Sequence, residues 1–184
     1  MSTNPYAPPL AKVEDTPGSA ETGSPVFFQV APWKLGLMNF CTLGFYSLFW
    51  FYQHWRIVRT RDRSDIWPVP RAIFGVFFCH SLFARIRDDG RKRELVDPPA
   101  AGPLAALWII ASIAWRLPLP FAFVGVLSWL AVIPIQTYAN RINAKAAPDA
   151  PRNDRLTWLN WVAVVLSAIF WVLVVVGTTL PDEG

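Results

Sequence analysis

The sequence predicts an all-α membrane protein with four transmembrane helices plus one short re-entrant or interfacial helix. Charged residues cluster, leaving uncharged runs of 21 residues (Leu35 to Trp55), 18 (Pro98 to Trp115), 24 (Leu117 to Asn140) and 25 (Leu156 to Leu180). About 20 apolar residues in a helix cross a ~30 Å hydrocarbon core. Inside lipid the backbone has to bond to itself, and the runs lack the alternation of a barrel strand, so they read as helices. Ten Trp residues supply the third observation. Trp33 and Trp55 bracket the first run, Trp108 and Trp115 sit in the second, and Trp158 and Trp161 open the last, as an interfacial belt requires. Trp129 and Trp171 fall mid-run and are expected to pack between helices.

The 184 residues suffice for one modest domain. Residues 1–26, rich in Pro, Ser, Ala and Thr, are expected to be a disordered Pro-rich tail, whose Asn-Pro-Tyr-Ala-Pro-Pro start suits an extended docking epitope. Residues 27–180 form the helical membrane domain, and 181–184 a second tail. The expected spans are 34–54, 99–116, 120–139 and 157–179. No basic start followed by an apolar run precedes the first of them, so that span is expected to act as its own targeting signal. Cys41 and Cys79 lie in apolar stretches and read as buried hydrophobes, with no metal-ligand spacing around either.

The first span continues into Arg56, Arg59, Arg61 and Arg63 and is broken by Pro68 and Pro70. The next apolar stretch, Ala72 to Ala84, is closed by Arg71 and Arg85 and gives only ~20 Å of helix. The short helix, 71–86, is therefore read as dipping into the membrane. A charged loop, Arg87 to Asp97, follows it. Leu117-Pro118-Leu119-Pro120 joins the second and third spans as an antiparallel hairpin. Pro134 is expected to kink the third span, and Asn153 or Asp154 to cap the fourth.

Charge arithmetic supports this count. With four crossings, 14 of the 17 Lys and Arg face the cytoplasm, leaving Lys12, Lys34 and Arg116 outside. A fifth crossing reduces the division to 11 against 6. Both termini are then expected on the periplasmic side.

Thr42-Leu43-Gly44-Phe45-Tyr46-Ser47-Leu48-Phe49-Trp50 resembles the first helix of a family of small bacterial integral membrane proteins, a domain of unknown function. There a Lys, here Lys34, precedes a Thr-Leu-Gly-x-Tyr-x-x-x-Trp run. The likeness extends through Asp65, Pro68 and Arg71 to Phe74, and more faintly to Pro134 and Asn140-Arg141-Ile142-Asn143. It implies a multi-pass protein of the bacterial inner membrane and implies no activity.

Two groups of residues are candidate sites. Arg56, Arg59, Arg61, Arg63, Arg85, Arg91, Lys92 and Arg93 form a basic collar suited to anionic lipid head groups, each adding about 1 kcal/mol near an anionic leaflet. Topology alone would also explain them. Gln136, Asn140 and Asn143 fall at i, i+4 and i+7 on one helix face, and with Asn160 they form an expected polar inter-helix cluster. His80 is read as a snorkelling or hydrogen-bonded histidine and His54 as interfacial. Thr42 and Ser47 are expected to bond carbonyls of their own helix, and Gly44 to admit a neighbouring backbone.

No Walker, zincin, nucleophile-elbow or dinucleotide pattern is present, and the spans hold no carboxylate of the kind that couples transport to protons. No catalytic residue, metal or cofactor is expected. The leading expectation is a non-enzymatic module for interaction, assembly or envelope organisation. An oligomeric transporter or channel subunit and a membrane enzyme acting on lipid head groups are the alternatives. The expected partners are membrane lipids, with a second copy or another membrane protein, and no nucleic acid.

Overall fold

A computed structural model describes residues 24–118, 125 and 127–179. The tail before residue 24, the start of the expected third span and the last five residues lie outside the described residues. Those described are helical and extended, with no strand among them: α1 Pro32–Cys41, α2 Tyr46–Asp62, α3 Pro68–Ile73, α4 Gly75–Lys92, α5 Ala101–Ile113, α6 Ile133–Ala146 and α7 Trp158–Thr179. Short 3-10 segments, Ala114–Arg116 and Leu127–Ala131, lie between α5 and α6.

The first expected span is two helices. Thr42 divides them, because its Oγ1 donates to the Met38 carbonyl (2.7 Å) and accepts from the Tyr46 N–H (2.8 Å). One hydroxyl thus closes α1 and opens α2. Leu43 and Gly44 then take left-handed angles, φ 50° and 91°, the conformation that ends many helices. Gly44 serves this reversal, and no neighbouring backbone approaches it: a Cβ there would meet nothing within 4 Å. Ser47 donates to Asn39 Oδ1 (2.6 Å) rather than to a carbonyl of its own helix.

Prolines start helices in this chain. Pro32, Pro68 and Pro134 each sit in a first turn, where a missing N–H costs nothing. Pro134 therefore opens α6 and does not kink a continuous third span. The expected short helix is really α3 and α4, with a corner at Phe74. Moreover, α4 runs on through Asp88 to Lys92, a stretch expected to be loop. Gly90 belongs to that helix because a Cβ there would fall 2.2 Å from Tyr138 Cε1 on α6. Its bare backbone lets α4 and α6 meet.

The core is aromatic. Phe51 of α2 packs on Trp108 of α5 (4.9 Å between ring centroids) and stacks on Phe83 of α4 (6.3 Å). Trp50, Trp55 and Phe27 are fully buried. Trp55 is thus no belt residue, since the Arg71 guanidinium lies 4.6 Å over its ring. Trp171 does pack between helices, stacked 5.5 Å from Phe40.

Among the described residues one helix is long and apolar enough to cross a membrane, α7, over Trp158–Gly177. At ~1.5 Å per residue its 20 residues reach about 30 Å. Only 6% of the most apolar window is buried, so it is no core helix of a water-soluble protein. Among the described residues it packs mainly on α1.

Lys34 corrects the charge arithmetic. It is 2% exposed, and its Nζ donates to Asn153 Oδ1 (2.6 Å) and to the Arg155 carbonyl (2.7 Å). Assigning Lys34 outside and Arg155 inside would separate these atoms by a membrane. At the far end of α2, the Arg61 guanidinium lies 5.0 Å over the Phe27 ring, and Phe27 is bonded to Asn143. Both ends of the α1–α2 pair are therefore tied to residues 143–155.

Replacing Gly90 with Ala is expected to destabilise the protein by about 1–3 kcal/mol through overpacking, read as a lower melting temperature in detergent. Shortening the opposing ring with Tyr138→Ala should make the two changes non-additive. Additive losses would mean that Gly90 does not set the α4–α6 approach.

Candidate functional site

Two polar regions interrupt the apolar body. The first is built on α6. Residues 26–31, bent at Val26 and Phe27 and then without regular structure, sink Phe27 and Val30 into the core and so have no helix to satisfy their backbone groups. The amide stripe of α6 does this. Asn143 Oδ1 accepts from the Phe27 N–H (3.0 Å), and its Nδ2 donates to the Phe27 carbonyl (2.8 Å). Gln136 Nε2 donates to the Phe28 carbonyl (3.0 Å), and Asn140 Nδ2 to that of Val30 (2.9 Å). Gln136 Nε2 also donates to Asn140 Oδ1 (2.7 Å), locking two members together.

Gln136 Oε1 faces the other way and accepts from Trp50 Nε1 (2.6 Å), with His54 Nε2 at 3.3 Å. His54 is therefore fully buried beside the Trp50 ring (4.2 Å) and is not interfacial. The expected polar cluster exists for Gln136, Asn140 and Asn143, but what it holds is an extended segment and a tryptophan of α2. Asn160 lies apart from it. Its Oδ1 accepts from the Thr157 N–H and Oγ1 (3.0 Å each), so Thr157 and Asn160 together cap α7. Asn153 serves Lys34 instead of capping that helix.

The second region gathers the collar where α2 and α4 end. Asp62 receives Arg61 (2.8 Å) and Arg85; Asp89 receives Arg93 (3.2 Å) and Arg61 (3.7 Å). Asp88 receives Arg87 (2.8 Å) and Arg91 (4.0 Å). The Arg87 guanidinium, bonded to Asp88, holds that carboxyl below its ordinary range. Lys145 of α6 closes the group by donating to the Arg93 carbonyl.

The collar thus divides. Arg61, Arg85 and Arg93 join α2 to α4 through two aspartates, and Arg91 lies at the limit of an ion pair. Among the described residues Arg56, Arg59, Arg63 and Lys92 form no ion pair or side-chain hydrogen bond, and all four are exposed. They remain available to an outside anion. The aspartates are not among the expected site residues, although Asp89 and Arg93 stand at the i, i+4 spacing that pairs charges on a helix.

Asn143→Ala would leave the Phe27 N–H and carbonyl buried and unpaired. It is expected to cost about 2 kcal/mol or more and to raise protease cleavage before α1. Asn160→Ala should leave that cleavage unchanged; equal effects would separate the amide stripe from the extended segment.

No family model matches this sequence, and comparison with curated proteins and with solved structures gives no match.

Proposed function

We propose that this chain is a membrane protein of the envelope that acts without catalysis, holding and organising phospholipids at one face of the bilayer. In this reading α7 crosses the membrane, while α1 to α5 enter from one side to partial depth. The reading favours one crossing with partial-depth helices over four complete spans. The likeness of the Thr42 to Trp50 run to bacterial membrane proteins supports an inner-membrane location.

The observation that carries the reading is where the exposed apolar side chains lie. Phe45 (70% exposed), Phe74, Phe77 (78%), Ile110 (69%) and Leu130 crowd the α1–α2 turn, the α3–α4 corner, the end of α5 and the 3-10 segment. Water-soluble monomers rarely expose apolar patches beyond a few hundred Å². Phe45, Phe74 and Phe77 lie at the ends of α2 and α4 opposite to those that carry the ion pairs. At ~1.5 Å per residue α1 and α5 extend only about 15 and 20 Å, less than a hydrocarbon core. Tips in lipid and charges at the head groups satisfy both ends of the bundle. The uncommitted Arg56, Arg59 and Arg63 then lie where anionic lipid is found.

Single cysteines in a Cys41→Ser, Cys79→Ala background test the placement. Trp33→Cys and Arg152→Cys are expected to react with an impermeant maleimide from the same side of sealed vesicles, and Thr179→Cys from the other. Labelling of positions 33 and 152 from opposite sides would restore the four-span arrangement.

For the lipid role, an Arg56, Arg59 and Arg63 triple alanine variant is expected to copurify several-fold less anionic phospholipid with an unchanged melting temperature, since each cation near the surface contributes about 1 kcal/mol. Unchanged lipid content would remove these residues from lipid binding.

A further inference from the structure

We infer that the cleft between the ends of α2 and α4 binds the head group of a phospholipid carrying a primary ammonium, of the phosphoethanolamine type. This deepens the lipid-organising reading and rests on it.

The cleft has a volume of ≈ 710 Å³ and is lined by both signs of charge. Arg61, Arg85 and Lys92 provide cations. Arg85 uses one terminal nitrogen on Asp62 and leaves the rest of its fork open; Lys92, exposed, acts on Asp88 through its charge but is in no hydrogen bond or ion pair among the described residues. A phosphate diester needs such donors, and a guanidinium fork matches its oxygens. A purely anionic ligand would leave the acidic side of the cleft unused. Asp88 engages its arginines through Oδ1 alone, its side chain is 50% exposed, and Oδ2 is free. That oxygen can accept from an ammonium beside the phosphate.

The lining also discriminates among cationic head groups. A quaternary ammonium has no N–H and is recognised by the faces of aromatic rings. This lining includes His80 but no Phe, Tyr or Trp. Carboxylates with open lone pairs suit a group that donates hydrogen bonds.

The placement of α4 supplies the lipid. Phe77, Ser81, Ala84 and Asp88 follow one another at four-, three- and four-residue steps, so they share a face, and His80, three residues after Phe77, borders it. Phe77 is 78% exposed and Phe74 55%. His80 and Ser81 mark the change from apolar to charged along this face. A diacyl lipid laid on it puts its chains against Phe74 and Phe77, its ester region beside Ser81 and its head group at Asp88 and Lys92. A free phosphoethanolamine would use only the charged half.

Native mass spectrometry of the full chain in detergent, with matched short-chain phospholipids, tests this. Phosphatidylethanolamine is expected to bind at least tenfold more tightly than phosphatidylcholine or phosphatidylglycerol, and glycerophosphoethanolamine, lacking chains, much more weakly. Asp88→Asn should erase the preference over phosphatidylcholine, and Lys92→Ala should weaken all phospholipids several-fold. Asp97→Asn, in the following loop, should change nothing. Melting temperatures of each variant separate lost binding from lost folding. Phosphatidylglycerol bound as well as phosphatidylethanolamine, or a preference surviving Asp88→Asn in a folded protein, would overturn the assignment. Equal binding of the chain-free compound would overturn its lipid character. Carbonate extraction from membranes is scored separately: release there defeats the membrane reading itself, whereas a retained protein without the preference defeats the cleft alone.

Discussion

An extended segment inside an apolar bundle carries backbone N–H and carbonyl groups that no helix satisfies, and each one left unpaired is costly where water is excluded. Residues 26–31 are such a segment, and the amide stripe of α6 meets their requirement. The arrangement works because an amide carries both a donor and an acceptor. Asn143 can therefore pair with both polar groups of Phe27, and Gln136 can serve Phe28 with one end and Trp50 with the other. The burial of Phe27 and Val30, the seat of α2 against α6 and the approach of Lys34 to residues 153–155 all depend on this segment staying in place.

Polar bonds fix the ends of the helices, and ring packing fills between them. Thr42 reverses the chain between α1 and α2, Lys34 ties α1 to the approach of α7, and Asp62 and Asp89 join α2 to α4. The bundle therefore has two unlike ends. One presents paired and unpaired charge, and the other presents Phe45, Phe74, Phe77 and Ile110. The residues that resemble a family motif find their reason in this plan: Lys34, Thr42, Gly44 and Trp50 make a buried anchor, a shared cap, a left-handed turn and a bond to Gln136. None of these roles is chemical. In this chain these residues hold the fold.

Helical character and the last helix were legible because they follow from local pattern. The expected span 157–179 and α7 differ by one residue at the start. The stripe of Gln136, Asn140 and Asn143 was legible as a bonding face from its spacing, but its partner was not, since an extended segment more than 100 residues earlier leaves no periodic trace. The break at Thr42 was hidden because an uncharged run of 21 residues says nothing of its own continuity. Gly44 is the residue of the turn that a sequence would flag, and a glycine in an apolar stretch equally suits close helix packing. Arg87 to Lys92 read as loop on charge and Gly90, although both belong to a helix whose far side packs on Tyr138. Lys34 misled the charge count because that count treats every cation as solvated, and this one is buried on a carbonyl.

The pairing of Lys34 with residues 153–155 also bears on how the protein is made. Its hydrogen-bond partners lie 119 and 121 residues downstream, and the partners of Phe27 lie 116 downstream. At the ~5–20 residues per second of synthesis, roughly 6–26 seconds pass between Phe27 and Arg155. Throughout that interval α1 has neither its anchor nor its covering segment. Residues 27–41 are thus among the last parts to reach their final place, and assembly of the bundle waits on the arrival of the residues that lead into α7.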